Sequence, residues 1–313
     1  MQTRKPTCRG EAPRRSPIVA GQFYPGERRS CIAEINECLR QEKLAEPLPE
    51  TIVAGIVPHA GWTFSGSLAA SVFSAIKQRH DKVDTFIIFG AAHGYYGSSP
   101  ALYNKGSWLT PLGEVAVDEE LADAVLKSNT AVSDTSAHEY EHSIEVQVPF
   151  IQYLFADAKI LPILTPPNEQ AISLGEVVGD IIKPALEGRG LVKGGQQKKK
   201  IVCIGSTDLT HYGPQYGFTP MGTGAKAVRW ASEVNDEKFI DLALKLDAMG
   251  LLANAAENLN ACGPGAAAAA VAAARKLGKT KGLLLAHTNS NKVMLEKMGS
   301  SSAESVGYAA MVF

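Results

Sequence analysis

Ile52-Val53-Ala54-Gly55-Ile56-Val57-Pro58-His59-Ala60-Gly61-Trp62 is the stretch that decides the fold. Its apolar half is β-branched, too short for a helix, and stops at a proline followed by a glycine. It reads as a buried strand ending in a sharp turn. The same grammar returns twice. Thr85 to Phe89 runs into Gly90-Ala91-Ala92-His93-Gly94, and Ile201 to Ile204 runs into Gly205-Ser206-Thr207-Asp208-Leu209-Thr210-His211-Tyr212-Gly213. Further apolar runs lie at Lys159–Leu164, Leu283–Ala286 and Val306–Phe313. Continuous runs of this kind suit strands covered on both faces.

Between them lie stretches with helical spacing of apolar residues: Ser67–Lys77, Asp118–Lys127, His142–Phe155, Leu174–Leu186, Phe239–Leu252 and the alanine-rich Ala266–Leu277. Alanine is the best helix former, so the last reads as a closely packed buried helix. Strands alternating with helices predict an α/β fold: a mostly parallel central sheet with helices on both faces. No internal repeat interrupts it. The polar stretch 1–18, with Pro6 and Pro13, reads as a flexible N-terminal segment, and 19–313 as a single domain.

With 31 basic and 32 acidic residues the formal net charge is −1, so no global field favours nucleic acid. The basic clusters Arg4–Arg15 and Lys198–Lys200 read as solvated segments. No apolar stretch follows the basic N-terminus as in a signal peptide, and no run reaches membrane-spanning length. Five cysteines (8, 31, 38, 203, 262) without a Cys-x-x-Cys pair argue against a disulfide framework and for a cytoplasmic protein.

In parallel sheets ligands bind beyond the carboxyl ends of the strands. Three of the seven histidines, His59, His93 and His211, fall in the turns at that edge. Cys262 precedes Gly263-Pro264 at the start of the alanine-rich helix, where the positive dipole end favours a thiolate. Two imidazoles and a thiolate suit iron, zinc or copper, and three ligands leave positions open. Asp208 is placed to orient an imidazole, and His211 to move protons. Trp62, Phe64, Tyr95 and Tyr96 flank the histidines as candidate walls for an organic ligand. Glu141, His142 and Glu145 open a helix whose polar end borders the pocket.

Two other chemistries fit the same residues. His138-Glu141-His142 spells H-x-x-E-H, a zinc-hydrolase pattern that needs both histidines on one helix face. Cys262, His211 and Asp208 could form a nucleophile, base and orienter, which would leave His59 and His93 without a role.

Seven ordered stretches together resemble the Memo family: Val19–Pro25, Pro58–Gly66, Trp108–Gly113, Glu141–Phe150, Ser206–Pro214, Cys262-Gly263 and Val306–Ala309. The likeness spans nearly the whole chain. It implies a fold related to the class III extradiol dioxygenases, with His59, His93 and Cys262 at the metal-ligand positions and His211 at the acid/base position. Iron(II) is the first metal it implies, with copper or zinc as alternatives. Cysteine stands where those dioxygenases use a carboxylate, which alters redox potential and metal preference. The resemblance thus implies a metal-dependent redox protein or dioxygenase-like oxidoreductase acting on a small aromatic or peptide-like ligand. Its alternative is a non-catalytic metal-, ligand- or protein-binding member of a pathway with radical-SAM and AMMECR-like partner proteins.

Overall fold

In the computed structural model, residues 12–41, 47–189 and 198–313 are described. The first half of the chain runs β1 (Arg14–Arg15), α1 (Arg28–Gln41), β2 (Ala54–Val57), α2 (Trp62–Arg79), β3 (Thr85–Gly90), β4 (Ala101–Leu102), β5 (Ser107–Thr110), β6 (Gly113–Ala116), α3 (Glu119–Leu126), β7 (Val132–Ser133) and α4 (Val148–Leu154). The second half runs β8 (Lys159–Leu164), α5 (Glu169–Leu186), β9 (Ile201–Ser206), β10 (His211–Tyr212), α6 (Ala225–Trp230), α7 (Glu237–Leu244), α8 (Ala248–Asn258), α9 (Pro264–Lys276), β11 (Leu283–Asn289), α10 (Ser290–Met298) and β12 (Ser305–Val312).

All six expected strands form. They belong to a nine-stranded mixed sheet ordered β10-β12-β2-β9-β3-β8-β4-β7, with β11 also on β12. The centre, β2-β9-β3-β8, is parallel, while β12 joins β2, β10 and β11 antiparallel. Residues 54–57, 85–90 and 201–206 are buried throughout, which is why they read as unbroken apolar runs.

Helices cover both faces. A Cβ at Gly55 would meet Val72 of α2, and one at Gly205 would meet Ala266 and Ala270 of α9. Gly55 pairs with Ile204 and Gly205 with Ile56, so these two glycines point to opposite faces. Residues 266–274 of α9 are buried, and Gly175 and Gly179 of α5 leave room for its backbone to come close. A small second sheet, β1-β5-β6, flanks the main one.

Several expectations need correction. The N-terminal boundary at residue 18 lies too late. Arg15 is buried, its guanidinium 2.7 Å from Glu145 and 4.1 Å from the centroid of the Trp108 ring. A buried charge needs such a partner, so Arg15, and Ile18 through its amide on Glu145, belong to the packed structure and not to a solvated segment, while Arg14 stays exposed beside Glu114. The cations before residue 12, and Cys8, lie outside the described residues, as does 190–197. His142–Phe155 is not one helix: a 3₁₀ turn at Glu145–Gln147 leads into α4. Phe239–Leu252 breaks at Leu246, which takes φ +55°, and Asp247 then caps α8 by accepting from Gly250 N at 2.9 Å. Among the described residues no helix is long and apolar enough to cross a membrane.

Candidate metal centre

His59 follows β2, His93 follows β3, Asp208 and His211 follow β9, and Cys262 precedes α9. Parallel pairing of β2, β9 and β3 brings their carboxyl ends to one edge, and α9 starts there. Donor atoms of His59, His93 and Cys262 lie within 4.8 Å of one another. Asp208, His211 and Cys262 form a second such group, and His93, Glu141 and His142 a third.

The hydrogen bonds decide which imidazole nitrogens are free. Ser206 Oγ donates its one proton to Ser143 O at 2.7 Å. It can therefore only accept from His59 Nδ1, 3.1 Å away, and it also accepts from Gln147 at 3.3 Å. His59 is thus protonated on Nδ1, and its Nε2 lone pair faces Cys262 Sγ at 3.1 Å. His93 Nδ1 donates to Glu141 Oε1 at 3.1 Å, which leaves its Nε2 for a ligand. A carboxylate behind a ligating histidine fixes the ring and raises its basicity. Burial pushes the Glu141 carboxyl up, but the His93 bond, the His93 charge and the Ser143 amide together pull it well below the usual range. Glu141 is therefore anionic at neutral pH.

The remaining groups follow from burial. Burial pushes His59 well down, and the neighbouring His93 and His142 push it further. Burial lowers His93 too, yet the hydrogen bond and charge of Glu141 outweigh it and its pKa ends raised. Burial and His93 bring His211 down to about 4, so its ring is neutral at pH 7, and its Nε2 is buried with no hydrogen-bond partner. Burial raises Asp208 to about 7 although the His59 and Ala60 amides oppose it. Cys262 corrects the expectation of a dipole-stabilised thiolate: burial, then the Asp208 charge, push its thiol far up. Without an ion it is a neutral thiol beside His59 Nε2. An imidazole kept neutral by burial, a second imidazole fixed by a carboxylate, and a thiol beside them fit a borderline or soft metal.

Asp208 is corrected as well. Its Oδ1 accepts the backbone N–H of His59 at 2.7 Å and orients no imidazole; Ser206 and Glu141 do that. The zinc-hydrolase pattern is ruled out. His138 ends a short 3₁₀ turn and is wholly buried against Tyr103 and Trp108, its Nε2 bonded to Ala101 O at 3.0 Å. His142 instead stacks on His93 with centroids 5.0 Å apart. No helix joins the two histidines, so the pattern places them in different surroundings.

A cavity of about 470 Å³ opens over the group, with His59, His93, His142, Asp208 and His211 in its lining. Its walls include Phe23, Phe64, Tyr216, Met294 and Tyr308. Trp62, expected there, is core: it lies between Tyr24 and Phe150, and its Nε1 donates to Val146 O at 3.1 Å. Tyr95 bends away and donates to Ser99 O at 2.9 Å, while Tyr96 is exposed. A larger groove of about 590 Å³ between α6 and α10 has neither histidine nor cysteine in its lining. Sequence reasoning missed Ser206, Gln147 and the pairing of Glu141 with His93. A serine as the last strand residue before the His211 turn was the one available signal.

Comparison with known proteins agrees with this architecture. A family profile described as Memo-like protein matches residues 15–312. A MEMO1 family protein of Thermococcus onnurineus is 38% identical over 305 residues, covering 96% of this chain and 99% of the relative. One from Methanosarcina acetivorans is 36% identical over 302 residues, covering 95% and 98%. One from Thermococcus kodakarensis is 38% identical over 306 residues, covering 96% and 99%.

Proposed function

The chain belongs to the Memo family, and from that premise we propose that it is a cytoplasmic metal-dependent redox protein, a dioxygenase-like oxidoreductase holding one transition-metal ion on His59, His93 and Cys262. Iron(II) is the first candidate, with copper and zinc as alternatives. One observation carries the reading: three donor atoms from distant parts of the chain lie within 4.8 Å, with both imidazole tautomers set toward the meeting point by Ser206 and Glu141.

When bound, such an ion supplies Lewis acidity and, for iron or copper, one-electron redox capacity. The protein's own groups do the rest. Cys262 gives up its proton on loading, so metal binding tightens as pH rises. His59 donates without a proton to lose, because burial already keeps it neutral. His211, neutral at pH 7 and unpartnered at Nε2, accepts a proton from a ligand in the cavity. Asp208 anchors the His59 turn through the backbone and serves as a nearby proton reservoir. Phe64, Tyr216 and Tyr308 favour a small aromatic or peptide-like ligand.

The test is metal content after purification without added metal. The expected result is close to one ion per chain in the wild type and loss in His59→Ala and Cys262→Ser. Unchanged content in both variants would refute the site. Oxygen uptake with phenolic or catecholic compounds on the iron(II)-loaded protein then separates catalysis from binding: uptake should occur and should depend on His211.

A further inference from the structure

Besides the turns that carry His59 and His93, two loops border the proposed centre, one carrying Asp208 and His211, the other carrying the ligand Cys262. At the front they are tied by Cys262 N to Asp208 O at 3.3 Å and Gly263 N to Thr207 Oγ1 at 2.9 Å. Behind them, between α6 and α7, residues Ala231–Asp236 form a π-helix. Such turns are rare and concentrate at functional sites.

This turn directs two successive side chains at one residue. Asn235 Nδ2 donates to Thr210 Oγ1 at 3.1 Å, and Asp236 Oδ1 accepts from Thr210 N at 3.0 Å. Thr210 immediately precedes His211. Asn235 also reaches the other loop. Its Nδ2 donates to Asn258 O at 2.9 Å, and its own carbonyl accepts from Asn260 Nδ2 at 2.8 Å, two residues before Cys262. Asp236 is itself held, since His287 Nε2 lies 3.0 Å from its Oδ2. Gly307 of β12 makes the approach feasible, because a Cβ there would collide with the Asp236 carboxylate.

Thr210, Asn235, Asp236 and Asn260 are all at most 1% exposed, and Asn235 Oδ1 and Asn260 Oδ1 find no hydrogen-bond partner. A buried polar network with unmet acceptors is costly compared with apolar packing. Its location, directly behind the Cys262 loop and the Asp208–His211 loop, gives the cost a purpose. We propose that Asn235 and Asp236 of the π-helical turn are positioning residues for the metal centre, setting the separation of the Cys262 loop from the Asp208–His211 loop. This rests on the metal reading above.

Cobalt(II), loaded anaerobically into the full-length chain, provides the probe. Its d–d bands and its thiolate charge-transfer band report ligand geometry, and titration reports affinity. Asp236→Ala and Asn235→Ala should shift the d–d bands and weaken cobalt binding about 10- to 100-fold, the range seen when outer partners of ligands are removed. Asp236→Asn, which keeps an acceptor for the Thr210 amide, should restore the wild-type spectrum. Loss of thermal stability alone, with spectrum and affinity unchanged in the alanine variants, would overturn the proposal. If Asp236→Ala does not fold, Asn235→Ala decides by the same criteria. A wild-type chain that takes up no cobalt would overturn the metal reading itself and the positioning role with it. That outcome is distinct from one in which the wild type binds and the variants match it.

Discussion

Asp208 is 4% exposed, and burial lifts its pKa from the ordinary 3.8 to about 7. An acid with a raised folded-state pKa binds more protons folded than unfolded between those two values. Its contribution to stability therefore falls as pH rises from about 4 to about 7 and is constant above that. That difference corresponds to at most about 4 kcal/mol. Asn can still accept the His59 amide but carries no charge. Metal-free Asp208→Asn should therefore be more stable than the wild type at pH 8 by roughly 1–4 kcal/mol, and equal to it at pH 4. Urea unfolding at pH 4, 6 and 8 checks this, and a difference that does not vary with pH contradicts it. His211 works in the opposite sense: burial lowers it to about 4, so stability from its neutral ring is lost as pH falls from 6.5 to 4. Because both proteins retain His211, its effect cancels in the comparison. The residue types of the site were legible in the sequence. Their protonation was not, because a helix N-terminus predicts a thiolate for Cys262 while its burial, a property of the whole fold, outweighs the dipole.

At the scale of elements, the segment from Arg14 to Pro25 is a strap fastened to the site. Arg15 donates to His138 O at 2.8 Å, to Glu145 Oε2 at 2.7 Å and to Glu141 O at 2.6 Å. Glu145 also accepts from the Ile18 and Val19 amides and from Tyr24 Oη. The strap thus fixes residues 138–145, which present Glu141 to His93 and His142 to the cavity. Arg15→Met should leave the Glu145 charge buried and unpaired and destabilise the protein by about 3–5 kcal/mol. Adding Glu145→Gln should recover part of that loss, as double-variant denaturation would show. Equal stability of Arg15→Met and the wild type would mean the strap is not fastened as described. The long apolar strands and the alanine helix were readable because burial on both faces leaves continuous runs. The strap was not, since an arginine near a polar terminus gives no local sign of a carboxylate more than a hundred residues away. The break of 142–155 was missed for a related reason. Its apolar spacing fits a helix, but Pro149 stands in the first turn of α4, where a helix starts rather than continues, and Glu145 before it is engaged by Arg15.

At the scale of the molecule, the site exists because three parallel strands end together and one helix begins there. Sequence order and the rule for ligand sites in parallel sheets group His59, His93 and His211; Cys262 joins them in the reading through its turn before the alanine-rich helix and the family resemblance. The partners that set their nitrogens, Ser206 and Glu141, come from chain separations only the folded topology closes. X-ray absorption of the iron- or cobalt-loaded protein tests the grouping most directly. One sulfur and two imidazole ligands are expected in the wild type, with the sulfur contribution absent in Cys262→Ser. A wild-type spectrum fitted by nitrogen and oxygen alone would contradict the grouping.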